Sequence, residues 1–154
     1  MTLTAGQIPR VANVITAGRV AVINATGVVT LGSDTNGQTL ITADATYGGI
    51  VDHLTITTDD AAIAPLVHIY IKNGSDITPL GTVLVPVSSG NTSAVRWNVN
   101  CLDGAAILGL PIDGKGNRYI KLGAGDILKA GVLTSAPTAG KTVWLRSAGA
   151  NFQA

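Results

Sequence analysis

The chain has 154 residues, of which 46% are hydrophobic, 4% aromatic and 12% charged, and its formal net charge is +1. That length makes one domain able to bury its own core. The composition excludes a disordered chain, the near-neutral balance excludes a dominant nucleic-acid footprint, and a single Cys excludes both a disulfide framework and a Cys-rich zinc site.

All nine acidic residues are Asp, and 19 residues are Gly. Asp favours caps and turns where Glu would favour helix, so the expected fold class is all-β. The N-terminus, MTLTAGQIPRVANV, has no charged stretch leading into an apolar run, so no signal peptide is expected and the chain reads as made in the cytoplasm. Residues 1–36 are rich in Gly, Thr and Val, with weak register, and read as an N-terminal arm or a set of added strands. Strands are expected within it at 18–24 and 28–31. Ile8, Pro9, Arg10, Val11, Val14 and Ile15 are its candidate partner contacts, Pro9 keeping the stretch extended. The same residues also fit an ordinary first strand.

From residue 37 to 154 the alternation is regular, and the segment reads as a β-sandwich body. Strands are expected at 38–42 and 50–57, with a turn of helix possible around 60–64. Residues 66–72 alternate cleanly: Val67, Ile69 and Ile71 share one face, and His68, Tyr70 and Lys72 share the other, as a half-buried antiparallel strand requires. Asn73-Gly74 is a turn pair. Further strands are expected at 82–87, where Pro86 marks an edge or bulge, and at 94–100, with Val95, Trp97 and Val99 inward. The series ends with 118–122, 126–132 and 142–146. The apolar stretch 61–71 is too short to span a bilayer and contains Pro65 and His68.

The motifs that resemble chemistry fail on context. SAPTAGKT at 135–142 misses a phosphate-binding loop by one position, and a strand pattern follows where a helix is required. DGKGN at 113–117 lacks the ligand spacing and terminal Glu of a calcium loop, so it reads as a Gly-rich surface loop. Asp59 and Asp60 read as a solvated loop or a cap. His53 and His68, expected on neighbouring strands, lack a clear third metal ligand. No Gly-x-Ser-x-Gly elbow marks a nucleophile, and without Glu any paired-carboxylate chemistry would rest on Asp alone. The Asn-x-Ser/Thr triplets at Asn24, Asn73 and Asn91 read as turn and strand chemistry. Trp97 and Trp144 read as core residues in alternating strands, and Cys101 as a small buried hydrophobe. No catalytic residue, cofactor or metal site is expected.

Four stretches carry a resemblance: VHIYIKNG (67–74), PLGTVLVPV (79–87), NRYIKLGAGDILKAGV (117–132) and GKTVWLRSAGANF (140–152). With them, residues from about 37 to 154 resemble the small jelly-roll decoration, or cement, proteins of tailed-bacteriophage heads. The resemblance implies a structural, non-enzymatic virion protein with a jelly-roll-like β-sandwich, placed on the capsid exterior as a homotrimer. It implies the major capsid protein as partner, with no direct contact to nucleic acid or membrane. The arm departs from the simplest single-sandwich layout and is expected to add strands to a shell protein or a neighbouring subunit. The alternative expectation is a head-fibre or tail receptor-binding module that recognises glycan.

Overall fold

The computed structural model describes residues 11–15, 19–24, 29–87, 89, 99–103, 107, 109–134 and 137–152. Ten strands run β1 (Val11–Ile15), β2 (Arg19–Asn24), β3 (Gln38–Thr42), β4 (Gly49–Thr58), β5 (Leu66–Asn73), β6 (Asp76–Leu84), β7 (Val99–Asn100), β8 (Ile120–Leu122), β9 (Ile127–Thr134) and β10 (Thr142–Phe152). Among the described residues there is no helix, and so none long and apolar enough to cross a membrane.

The strands form two antiparallel sheets, and the expected all-β class is what the structure shows. In the first sheet β10 and β4 pair along nearly their whole length. Short strands lie along their free edges, with β2 and β1 on β10 and with β7 and β8 on β4. The second sheet has the order β3-β9-β5-β6. The core lies between the sheets. Val51, Leu54, Ile56 and Leu145 of the first face Leu40, Val67, Ile69, Leu128 and Val132 of the second, all with no exposed surface. Each such aliphatic side chain stabilises the fold by about 1.5–3 kcal/mol relative to leaving it in water.

The hairpin β5–β6 follows from the Asn73-Gly74 pair, displaced by one residue. Asn73 pairs with Asp76, so the two-residue loop is Gly74-Ser75. Gly74 supplies the positive φ (57°) at the first loop position, the position where a type II′ turn places Gly. Pairing therefore resumes at Asp76, and β6 runs to Leu84 instead of spanning 82–87. Pro79 is tolerated because β6 is the sheet edge.

The expected polar face of β5 is corrected. His68 and Tyr70 are as buried as Val67 and Ile69. Their cover is the segment 29–37, which lies across the outer face of the second sheet. The Val29 N–H donates to the Val132 carbonyl at 2.7 Å. The Val29 side chain occupies the space a β-carbon would take at Gly131, the register partner of His68. Farther along, the Tyr70 hydroxyl donates to Asp34 Oδ1 at 2.9 Å, and Lys72 and Lys129 both pair with the same carboxylate. This polar latch also explains why residues 29–31 form no strand. Val29 and Thr30 are irregular, and a turn at Leu31-Gly32 follows, closed by the Ser33 N–H on the Thr30 carbonyl.

Three other expectations shift. Residues 60–64 form no helix, because Asp60 Oδ1 accepts from the Ala62 and Ile63 N–H groups and folds them into an Asx turn. β10 continues to Phe152, six residues past the expected end. Trp144 is half-buried on the outer face, since Val143, Leu145 and Ser147 take the inward positions. The strand expected at 94–100 is described only at Val99 and Asn100; Trp97 lies outside the described residues.

Candidate functional site

The inward residues of β4 break step. Val51 is followed inward by Leu54 and then Ile56, an interval of three before an interval of two. A regular strand would turn Leu54 outward. A β-bulge restores the register: His53 pairs with Ala148, Val51 pairs with Gly149, and Asp52 is left as the extra residue. Asp52 and His53 consequently stand side by side, both exposed, on the outer face of the first sheet. Gly149 is required opposite, because a β-carbon there would collide with the Ile50 carbonyl.

The rest of the site comes from the loop between Ile112 and Arg118, which bridge to one another. Asp113 holds this loop shut. Its Oδ1 accepts the Lys115 and Asn117 N–H groups, both at 2.8 Å, and its Oδ2 accepts the Asn117 side-chain amide at 3.1 Å. The backbone N–H of Asn117 is the largest influence lowering the Asp113 carboxyl below the usual carboxylate range. With its oxygens so engaged, Asp113 serves the loop.

Two grooves of about 440 and 430 Å³ lie side by side at the loop and the bulge. Asp52, Asp113, Asn117 and Arg118 wall both. The first groove extends to His53, Asn100 and Asp103, and the second to Ile50, Tyr119 and Phe152. Arg118 lies 3.9 Å from Asp103 at the surface, an ion pair worth little in water. Neither the Asp52 nor the His53 side chain makes a hydrogen bond or ion pair among the described residues. No group of three metal-ligating side chains forms there either.

Other acidic residues are engaged in the fold. Asp60 is 1% exposed and accepts three backbone N–H groups, from Ala62, Ile63 and Thr138. Burial alone would raise its pKa; these bonds outweigh it and hold the carboxyl at about 2. Asp59 accepts the Thr142 N–H at 2.7 Å. The two thus clasp the turn before β10, where a strand and not a phosphate-binding helix follows residue 141. Asp44 accepts from Thr46 and Tyr47, and Asp126 from Gly123 and the Asn73 amide. Asn73 is therefore turn chemistry, as expected. Asp34 behaves like Asp60: burial works against it, but Lys129, Lys72 and Tyr70 bring it to about 2.

The two histidines are not neighbours. His53 is on β4 of the first sheet and His68 on β5 of the second. His68 stacks on Tyr70 with ring centroids 5.3 Å apart. Its Nδ1 lies 3.2 Å from the Gly81 carbonyl, which only accepts, so Nδ1 carries the proton, and the buried Nε2 has no partner among the described residues. Burial lowers its pKa. Cys101 is fully buried, as expected of a small hydrophobe, and its thiol is pushed up to about 12.

Of the candidate arm contacts, Ile8, Pro9 and Arg10 lie outside the described residues. Val11, Val14 and Ile15 belong to β1, whose backbone pairs with the end of β10 through Val11–Phe152 and Ile15–Ala150. The sequence reading missed Asp52, Asp103 and Arg118. The signal was present in the odd interval between Val51 and Leu54, which announces a bulge. No protein-family model matches the chain, and comparison with curated proteins and with solved structures gives no match.

Proposed function

We propose that the chain is a structural virion protein that binds the outside of a tailed-phage head and bridges major capsid proteins, with a jelly-roll-like body that assembles as a trimer. The observation that supports this reading is where the polar side chains go. Asp34, Asp44, Asp59, Asp60, Asp113 and Asp126 all hold loops or turns in place. Loops fixed in advance lose little entropy on docking, which favours a binding surface. Symmetry then multiplies modest contacts into a firm grip on a lattice. The low charge suits association through packing and backbone hydrogen bonds over long-range steering.

The test is the copy number of the chain in purified virus particles, read by quantitative mass spectrometry against the major shell protein. A ratio near one is expected for a lattice-wide cement. A small fraction would move the chain to a fibre or tail, and absence from the particle would overturn the proposal.

A further inference from the structure

The geometry points to a saccharide-binding site astride Arg118 on the outer face of the first sheet, built for a neutral oligosaccharide. This inference does not depend on the shell-binding reading. It starts from a contrast. Six of the nine Asp side chains hold loops in place, whereas Asp52 and its neighbour His53 have no protein partner among the described residues and face a groove. The bulge that sets them side by side disrupts a central strand pairing and requires Gly149 opposite. Bulges commonly re-aim side chains toward a site.

The groove's chemistry selects the ligand. Asp52 and Asp103 only accept hydrogen bonds, Arg118 only donates, and His53 can do either. Asn100 Oδ1 is taken by the Leu102 N–H, leaving its amide N–H groups for a ligand. Three carboxylates, Asp52, Asp103 and Asp113, disfavour an anion. Arg118 and Lys121 disfavour a cation, and no three-ligand metal set is present among the described residues. A neutral ligand whose groups both donate and accept satisfies these walls, and adjacent sugar hydroxyls do so. The second groove supplies the apolar half, with Ile50, Tyr119 and Phe152 half-buried and available to pack against the C–H face of a sugar ring. Each groove has the volume of an ordinary small-molecule site, roughly 300–1,000 Å³. Because they share the Arg118 wall, the two grooves together suit two or more linked sugar units.

The full chain is applied to a panel of neutral and anionic tri- to hexasaccharides, and retained members are titrated by calorimetry. At least one neutral member is expected to bind with submillimolar Kd. Asp52→Asn and Arg118→Gln are each expected to weaken it at least tenfold without changing the melting temperature. Asp76→Asn, in the second sheet, is expected to leave binding unchanged. Asp52 is exposed and the Asn replacement is nearly isosteric, so that variant reports binding even if the Arg118 variant folds poorly. The proposal is overturned if no neutral saccharide binds at millimolar concentration, if only anionic ones do, or if binding survives Asp52→Asn.

Discussion

Asp60 stays ionised inside the protein because three N–H donors surround it, and this makes it a point of vulnerability. Replacing it with Ala strands those donors in a nearly dry site. Hydrogen bonds to a charged group contribute about 1.5–3 kcal/mol, so a loss of about 2 kcal/mol is expected for Asp60→Ala. A denaturant titration would read it directly, and a thermal melt should fall by roughly 4–8 °C. Acid acts on the same residue. The Asp60 and Asp34 carboxyls titrate at about 2 in the folded chain against 3.8 ordinarily. Their contribution is complete above the ordinary value and is lost as pH falls from there through 2. His68 adds an earlier limb. Its folded pKa lies below 6.5, so the unfolded chain takes up the proton first and stability declines as pH drops below 6.5. In His68→Phe that first limb should vanish while the steep loss near pH 3 remains. If stability of the variant still declines between pH 6.5 and 5, the burial of His68 is not its origin.

At the scale of elements, the segment 29–37 decides which face of the second sheet is solvent. Its latch joins residues far apart in sequence: Asp34 to Tyr70, Lys72 and Lys129, and Val29 to Gly131. Asp34→Ala leaves two ammonium groups and a phenol without their shared acceptor. Because these groups are partly solvated, about 2 kcal/mol is expected to be lost, less than for a wholly buried triad. Hydrogen exchange should quicken first at the Val29 amide and along β9, since the cover loosens before the core does. Unchanged protection there would mean that Val29 alone holds the segment. The latch also explains what sequence could and could not tell. Strands β5 and β9 were legible because their inward residues alternate, Val67, Ile69 and Ile71 on one and Leu128, Ala130 and Val132 on the other. The burial of His68 and Tyr70 was not, because period-two patterning identifies two faces but not which is covered. Asp52 and Arg118 escaped for a related reason: they meet through a bulge and a loop distant in sequence. Yet the break in step between Val51 and Leu54 was already visible.

At the scale of the whole molecule, β10 is the spine on which the N-terminal strands depend. One edge is covered by β4, and the other, among the described residues, by β2 and β1, whose pairing runs from Asn24–Thr142 to Val11–Phe152. Removing residues 1–24 therefore uncovers the edge of an eleven-residue strand while keeping the described core residues between the sheets, from Leu40 onward. An uncovered edge is a row of unmet N–H and C=O groups that recruits any available strand. The truncated chain should keep its β-type circular dichroism but self-associate, as light scattering would show. A synthetic peptide of residues 8–24 added in excess should return it to the assembly state of the full chain by restoring the missing strands. The same edge accepts such a strand whether it comes from its own chain or from a neighbouring copy, which is the physical condition for strand exchange between subunits. A truncated chain that associates no further than the full chain, or added association that the peptide does not reverse, would show that β1 and β2 do not close this edge, and the arm would lose its role in assembly.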